Sequence, residues 1–219
     1  MNSISIKGKM HPGFDKILSE DAQNFILKLH RKFSETRKSL LGKRADIHRK
    51  ILSGEMPSFL KETESIRTED WQADPVPKDL QDRRCEITGP AEAKMMINAL
   101  NSGATIFMAD LEDSITPNWF NQIQGQQNLI EAHERTLQFT STEGKEYKLK
   151  EEGLATLILR PRGWHLNEKH ILIDGEEACG ALVDAGLYLF HNIKRTLEKG
   201  TGPYFYLPKL ENHLEARLW

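Results

Sequence analysis

The segment LATLILRPRGWH, residues 154–165, joins an apolar run to two arginines. Its first six residues are mostly apolar and predict a strand that is buried on both faces of a parallel sheet. Pro161 and Gly163 then end the strand and turn the chain. Arg160 and Arg162 therefore lie at the carboxyl end of a buried strand, where guanidinium groups need carboxylate partners or an anionic ligand. We interpret this strand end as a candidate site.

Two other apolar runs, residues 104–109 and 203–207, also end in charged residues. The charged residues are Asp110, Glu112 and Asp113 after the first run and Lys209 and Glu211 after the second. Helical spacing separates the runs, as is typical of parallel α/β folds with helical crossovers. Such folds place the carboxyl ends of all their strands on one side, where active sites lie. We therefore expect the charged clusters to meet, in a barrel or an open parallel sheet.

Residues 1–88 are predicted to form a helical region followed by an irregular connector. From Ser19, a helix N-cap, apolar residues recur at helical spacing as far as Phe33. A second helical pattern covers residues 40–52. The chain then loses its periodicity, which predicts a connector with a short helix near Phe59.

Residues 89–219 are predicted to contain the parallel sheet and its crossover helices. Pro90 is expected near the first position of a helix. Residues 136–150 contain the turn sequence TEGK and predict an inserted β-hairpin. Asp174-Gly175 is expected in a loop, followed by a helix over residues 180–197.

Composition excludes several classes of function. The 219 residues include 30 basic and 32 acidic side chains, so the formal charge of -2 does not favour binding to nucleic acid. No run is long enough to span a bilayer, and residues 1–10 lack a signal-peptide core. No dinucleotide or phosphate-loop glycine pattern occurs. Cys85 and Cys179 match no metal-ligand spacing, so we expect two buried thiols in a cytoplasmic protein.

Several long motifs resemble those of malate synthases of the A type, in the same order and over essentially the whole chain. The motifs are RCEITGP at 84–90, FMADLEDS at 107–114, LRPRGWH at 159–165, EKH at 168–170, FHN at 190–192 and GPYFYLPK at 202–209. The resemblance implies a Mg²⁺-dependent condensation of glyoxylate with acetyl-CoA on a TIM (β/α)8 barrel preceded by an α-helical N-terminal clasp. A eukaryotic member would be peroxisomal or glyoxysomal.

The resemblance also implies roles for the charged residues. Arg160 is the expected catalytic residue, whose fixed charge stabilises the enolate oxygen of the deprotonated acetyl group. The acids Asp110, Glu112 and Asp113 either orient this arginine or a metal-bound water, or are only its ion-pair partners. Arg162 is expected to pair with the same acids. Lys209 and Glu211 either line the pocket or form an ion pair at the rim of the barrel.

The sequence departs from the family in its length. Malate synthases are considerably longer, and the resemblance places their magnesium ligands and catalytic aspartate base further along the chain. We therefore expect the N-terminal part of such an enzyme, with three barrel strands, no metal ligands and no activity without the missing C-terminal part. The alternatives are an inactive remnant, a binding module or an aldolase-like lyase of the related barrel superfamily. An open reading frame downstream of the Trp219 codon would favour the enzyme.

Overall fold

The computed structural model describes residues 4–219 and shows the mixed α/β fold that the sequence predicts. The strands are β1 (Ile4–Ile6), β2 (Glu86–Pro90), β3 (Ile106–Asp110), β4 (Gln138–Thr140), β5 (Glu146–Lys148), β6 (Thr156–Arg160), β7 (Asn167–Ile173), β8 (Glu176–Cys179) and β9 (Tyr204–Phe205). The helices are α1 (Phe14–Ile17), α2 (Glu20–Leu52), α3 (Glu64–Thr68), α4 (Ala93–Leu100), α5 (Trp119–Glu134), α6 (Gly180–Glu198) and α7 (His213–Leu218). Residues 1–3, where the predicted N-terminal region begins, lie outside the described residues.

A four-stranded parallel sheet carries the apolar runs. Its order is β2-β3-β6-β9, so the strand of the RPRG motif lies between two neighbours. The register pairs Asp110 with Arg160 and Ala109 with Leu159. The last residues of β3 and β6 are therefore adjacent, and their charged side chains start from the same edge of the sheet.

Strand β2 corrects the prediction of a helix at Pro90. The structure places Glu86–Pro90 in a strand that pairs with β3, and the helix begins only at Ala93. In the sequence, Gly89 and Pro90 are typical of the start of a helix. Proline is nevertheless tolerated on an edge strand when its missing N–H faces away from the neighbouring strand. The described residues thus form four parallel strands instead of three. The predicted boundary at residues 88 and 89 cuts through one of them.

Helix α2 is one helix of 33 residues where the sequence suggests two successive helical patterns. The Ser19 hydroxyl accepts a hydrogen bond from the Ala22 N–H and caps its start. Gly42 lies in its middle with open space around it. A single exposed glycine costs about 1 kcal/mol relative to alanine, which packing of the rest of the helix offsets.

An antiparallel sheet of β1, β7 and β8 was not predicted. Asp174 and Gly175, expected in a loop, form the turn between β7 and β8 and both have positive φ angles, 53° and 89°. β1 pairs with β7 through Ile4 and Ile173. This sheet fastens the start of the chain to the segment that follows the RPRG motif.

The hairpin, the crossover helix and the burial of the two cysteines are the remaining predictions that the structure tests. The hairpin of β4 and β5 and the helix α6 are present, close to their predicted bounds. Cys179 is buried as expected, but Cys85 is exposed because it precedes the edge strand β2. Within residues 4–219, no helix has the length and apolar character needed to cross a membrane.

Candidate active site

Arg160, the last residue of β6, contacts three carboxylates. Its Nε donates to Asp110 Oδ1 at 2.9 Å, and its Nη2 donates to Asp113 Oδ2 at 2.6 Å. Glu112 Oε2 lies 3.4 Å from the same Nη2. The third nitrogen, Nη1, has no partner among residues 4–219. The Arg160 side chain as a whole remains 15% exposed.

Asp110 is fully buried and organises the chain that follows β3. Its Oδ1 accepts from the backbone N–H groups of Glu112 at 2.8 Å and Asp113 at 3.2 Å. Its Oδ2 accepts from the N–H of Ser114 at 2.9 Å and from the Ser114 hydroxyl at 2.6 Å. Burial raises the pKa of Asp110, but these bonds and the one from Arg160 outweigh it and hold the pKa below its ordinary value. Asp110 is therefore ionised at neutral pH.

Lys209 adds a second cation to this loop. Its Nζ lies 2.7 Å from Asp113 Oδ2 and 3.0 Å from Glu112 Oε2. These two contacts raise the pKa of Lys209, and the bond from Lys209 lowers the pKa of Asp113. Lys209 has a φ of 52°, a left-handed conformation that is uncommon for lysine. We call Asp110, Glu112, Asp113, Arg160 and Lys209 the Arg160 cluster.

Arg162 lies in a second, fully buried network. Its Nε and Nη2 donate to the two oxygens of Asp184 at 2.9 and 2.7 Å, and its Nη1 donates to Glu168 Oε2 at 2.8 Å. The backbone N–H of Arg162 also donates to Asp184, at 2.9 Å. Burial lowers the pKa of Arg162, but the two carboxylates outweigh it and raise the pKa. Every side-chain nitrogen of this arginine is therefore occupied.

The predicted partners of Arg162 are therefore wrong. The sequence assigns it the acids after β3, whereas the structure pairs it with acids of β7 and α6. The chain turns at Pro161 and carries Arg162 against the start of α6. Gly180 leaves room there, because a Cβ at this position would lie 3.0 Å from Arg162 Nε.

Glu211 lies outside the Arg160 cluster. Its Oε1 is 3.1 Å from Arg44 Nη1, and Arg44 Nε donates to the buried Glu215 at 2.7 Å. The structure thus gives Glu211 an ion pair with Arg44, and the predicted choice between lining the pocket and pairing at the rim of a barrel stays a prediction. Its partner comes from the middle of α2, so this contact joins the N-terminal helix to the chain after β9.

The sequence alone assigns no role to Ser114, Glu168 or Asp184. A signal exists for Asp184, because it interrupts the apolar segment ALVDAGL of α6, and a buried acid on a helix requires a basic partner. Glu168 lies in the quoted EKH motif, but nothing in its spacing indicates that it faces Arg162. No pattern in the sequence identifies Ser114 as a partner of Asp110.

The described residues contain no group of three or more His, Cys, Asp or Glu side chains that could hold a metal ion. The acids of the Arg160 cluster contact two cationic side chains instead, Arg160 and Lys209. A Mg²⁺ site prefers several free oxygen ligands in octahedral geometry. The acids of this chain therefore do not fit a magnesium site of their own.

Two family models match this chain, the malate synthase N-terminal domain over residues 3–65 and the malate synthase TIM barrel domain over residues 156–219. Together they cover more than half of its residues. The chain is 51% identical over 216 residues to the malate synthase of Myxococcus xanthus (strain DK1622). The alignment covers 99% of this chain and 40% of that protein.

Two further relatives are similar over the whole chain. The malate synthase of Dictyostelium discoideum is 51% identical over 221 residues, covering 100% of this chain and 40% of its own length. The glyoxysomal malate synthase of Brassica napus is 46% identical over 222 residues, covering 100% and 39%. The chain thus spans about two fifths of the length of the relatives that it matches.

Proposed function

Because this chain belongs to the malate synthase family, we propose that it forms part of an enzyme that condenses glyoxylate with acetyl-CoA and water to give malate and CoA. The observation that carries the proposal is the Arg160 cluster at the carboxyl ends of β3 and β6. An arginine with two nitrogens fixed by carboxylates and one without a partner suits binding of a developing negative charge.

In this proposal, Arg160 stabilises the oxygen of the enolate that forms when the acetyl methyl group loses a proton. The methyl carbon of the enolate then bonds to the aldehyde carbon of glyoxylate, and water releases CoA from the thioester. Nη1 donates to the enolate oxygen, while Asp110 and Asp113 hold the guanidinium in place through Nε and Nη2. Because the guanidinium is already in place, it need not reorient when the enolate forms. Such a fixed donor typically lowers the activation free energy by a few kcal/mol.

Arg162 is not the catalytic arginine in this proposal. It is 3% exposed, and all three of its side-chain nitrogens donate to Asp184 or Glu168. A substrate oxygen would have to displace one of these buried bonds. Arg162 instead fixes the turn that follows β6, which supports the position of Arg160.

We propose that the Mg²⁺ and the general base of the reaction are bound outside this segment. The family resemblance places these groups further along a longer chain, and the acids described here are held by cations. We therefore assign no metal-dependent step to this segment. The partial barrel is part of the same proposal, with β2, β3, β6 and β9 as four of its strands. The proposed location is cytoplasmic, or glyoxysomal as in the Brassica relative.

A chimera tests the proposed function. The first part of the Myxococcus xanthus malate synthase is replaced with this chain, up to the end of the aligned region, and the protein is produced in a host without malate synthase. We expect CoA release that depends on glyoxylate and Mg²⁺, and none from the 219-residue chain alone. A chimera that melts cooperatively but releases no CoA would contradict the assignment. Glyoxylate-dependent release by the chain alone would contradict the placement of the base and metal.

A further inference from the structure

An open cleft of about 540 Å³ lies beside the loop that leads from β3 into α5. Three parts of the fold line it: residues 7–9 and 11 after β1, residues 116–120 that lead into α5, and residues 169–170 of β7. Its basic lining residues are Lys7, Lys9, His11, Lys169 and His170. In the part of the chain that the structure describes, no aspartate or glutamate belongs to this lining.

The fold holds these basic residues in place. The N–H of Lys7 donates to the His170 carbonyl at 2.7 Å, and the indole N–H of Trp119 donates to the Lys9 carbonyl at 2.8 Å. Gly8 lies directly on the indole, because a Cβ at this position would be 2.0 Å from Trp119 Cε2. The segment that carries the two lysines is therefore fastened at both positions, to β7 and to α5.

His170 is oriented from behind the cleft. Its Nδ1 lies 2.7 Å from Oε1 of the buried Glu168, whose other oxygen accepts from Arg162. The carboxylate must accept this hydrogen bond, so Nδ1 carries a proton and Nε2 is left to contact a ligand. The buried network around Arg162 thus sets the orientation of a ring on the wall of the cleft.

Aromatic surface lies beside the charges. Phe120 is 44% exposed, and its ring meets the His11 ring edge to face with centroids 5.0 Å apart. The Trp119 and His170 rings lie 5.3 Å apart. A cleft that combines basic groups with exposed aromatic edges can bind a charged group and a planar ring together.

The charge arrangement favours an anion. Like charges gathered in one cleft repel each other, and no acid of the lining offsets them. A phosphate group offers both the opposite charge and several acceptor oxygens, which bind the lysine ammonium groups as point charges. The volume is also in the range of small-molecule sites.

We infer that this cleft binds the phosphate groups of a small molecule that also carries a planar ring. Two sources have this chemistry: the nucleotide end of the acetyl-CoA substrate, which rests on the proposed function, or a separate phosphorylated metabolite. Thr116, at the edge of the cleft, follows Ser114 of the Asp110 loop by two residues. A ligand in the cleft therefore lies on the same loop as the Arg160 cluster.

Calorimetric titration of the 219-residue chain tests the inference, with CoA, dephospho-CoA and inorganic phosphate as probes at low ionic strength. The cleft variant is Lys9→Gln with Lys169→Gln. The control, Lys61→Gln with Lys78→Gln, removes the same charge from exposed positions of the connector. We expect the cleft variant to weaken CoA binding by about tenfold or more and the control to change it less than about twofold.

The probes identify the source of the phosphate. Weaker binding of dephospho-CoA, with no competition by inorganic phosphate, would assign the cleft to the nucleotide end of CoA. Competition by inorganic phosphate at comparable affinity would assign it to free phosphorylated ligands. Equal CoA binding by the wild type and the cleft variant, or no binding of any probe, would overturn the inference. Arg160→Lys should keep this binding, so the result is independent of the turnover test of the proposed function.

Discussion

Replacing Arg160 with lysine in the chimera should abolish most of the turnover. Lysine keeps the positive charge but has one nitrogen on a flexible stem in place of a planar fork. The arginine binds Asp110 through Nε and Asp113 through Nη2, which leaves Nη1 for the enolate oxygen. A single ammonium cannot hold both carboxylates and also reach the substrate in this geometry.

The expected size of the effect follows from the loss of one fixed donor to a developing oxyanion. Such losses reduce kcat by about a hundredfold to a thousandfold, or about 3–4 kcal/mol in the transition state. If Nη1 contacts the oxygen mainly in the transition state, the KM for acetyl-CoA should change little. The lysine that replaces Arg160 still lies beside three carboxylates, two of which also contact Lys209, so the fold of the loop after β3 should persist.

Steady-state assays of CoA release measure this prediction, with thermal melting as the test of folding. Arg162→Lys is the matched control, since it makes the same chemical change two residues away in the buried network. It should lower the melting temperature through lost bonds to Asp184 and reduce kcat less than Arg160→Lys does. If the well-folded Arg162→Lys enzyme lost turnover while Arg160→Lys kept it, the choice of catalytic arginine would be wrong.

Three further changes test the stability of the 219-residue chain. Burial lowers the pKa of His133 to about 4. The unfolded chain therefore binds the proton more readily than the folded chain between about pH 6.5 and 4, so the free energy of unfolding should fall by about 1–2 kcal/mol from pH 7 to 5. His133→Gln should remove this part of the pH dependence of stability, measured by urea titrations. Asp184→Asn leaves the buried Arg162 without its main counter-charge and should cost about 3 kcal/mol, whereas Glu176→Gln, at an exposed ion pair, should leave the urea midpoint nearly unchanged. Gly8→Ala places a methyl group in the Trp119 indole and should cost about 1–3 kcal/mol; an unchanged melting temperature would contradict the described packing.

The apolar runs before Asp110 and Arg160 predict the central strands because a strand buried on both faces needs an unbroken apolar sequence. The sequence therefore locates β3 and β6 and the charged residues at their ends. It does not locate β2, because an edge strand with Gly89 and Pro90 lacks that pattern and is defined by its pairing with β3. The antiparallel β1 and β7 escape prediction for a similar reason, since β1 has only three residues and pairs with a strand more than 160 residues away.

The two arginines show which part of a site the sequence cannot give. Both lie at the carboxyl end of the same strand and have the same chemistry, yet Arg160 pairs with the acids at the end of β3 and Arg162 pairs with Asp184 of α6. Register decides the first pairing, because Asp110 and Arg160 are opposite each other in parallel strands. The turn at Pro161 decides the second, because it carries Arg162 away from the sheet edge. Nothing in the spacing of the RPRG motif distinguishes the two arginines. Only the folded chain shows that Arg160 keeps one nitrogen without a partner and that every side-chain nitrogen of Arg162 is bound.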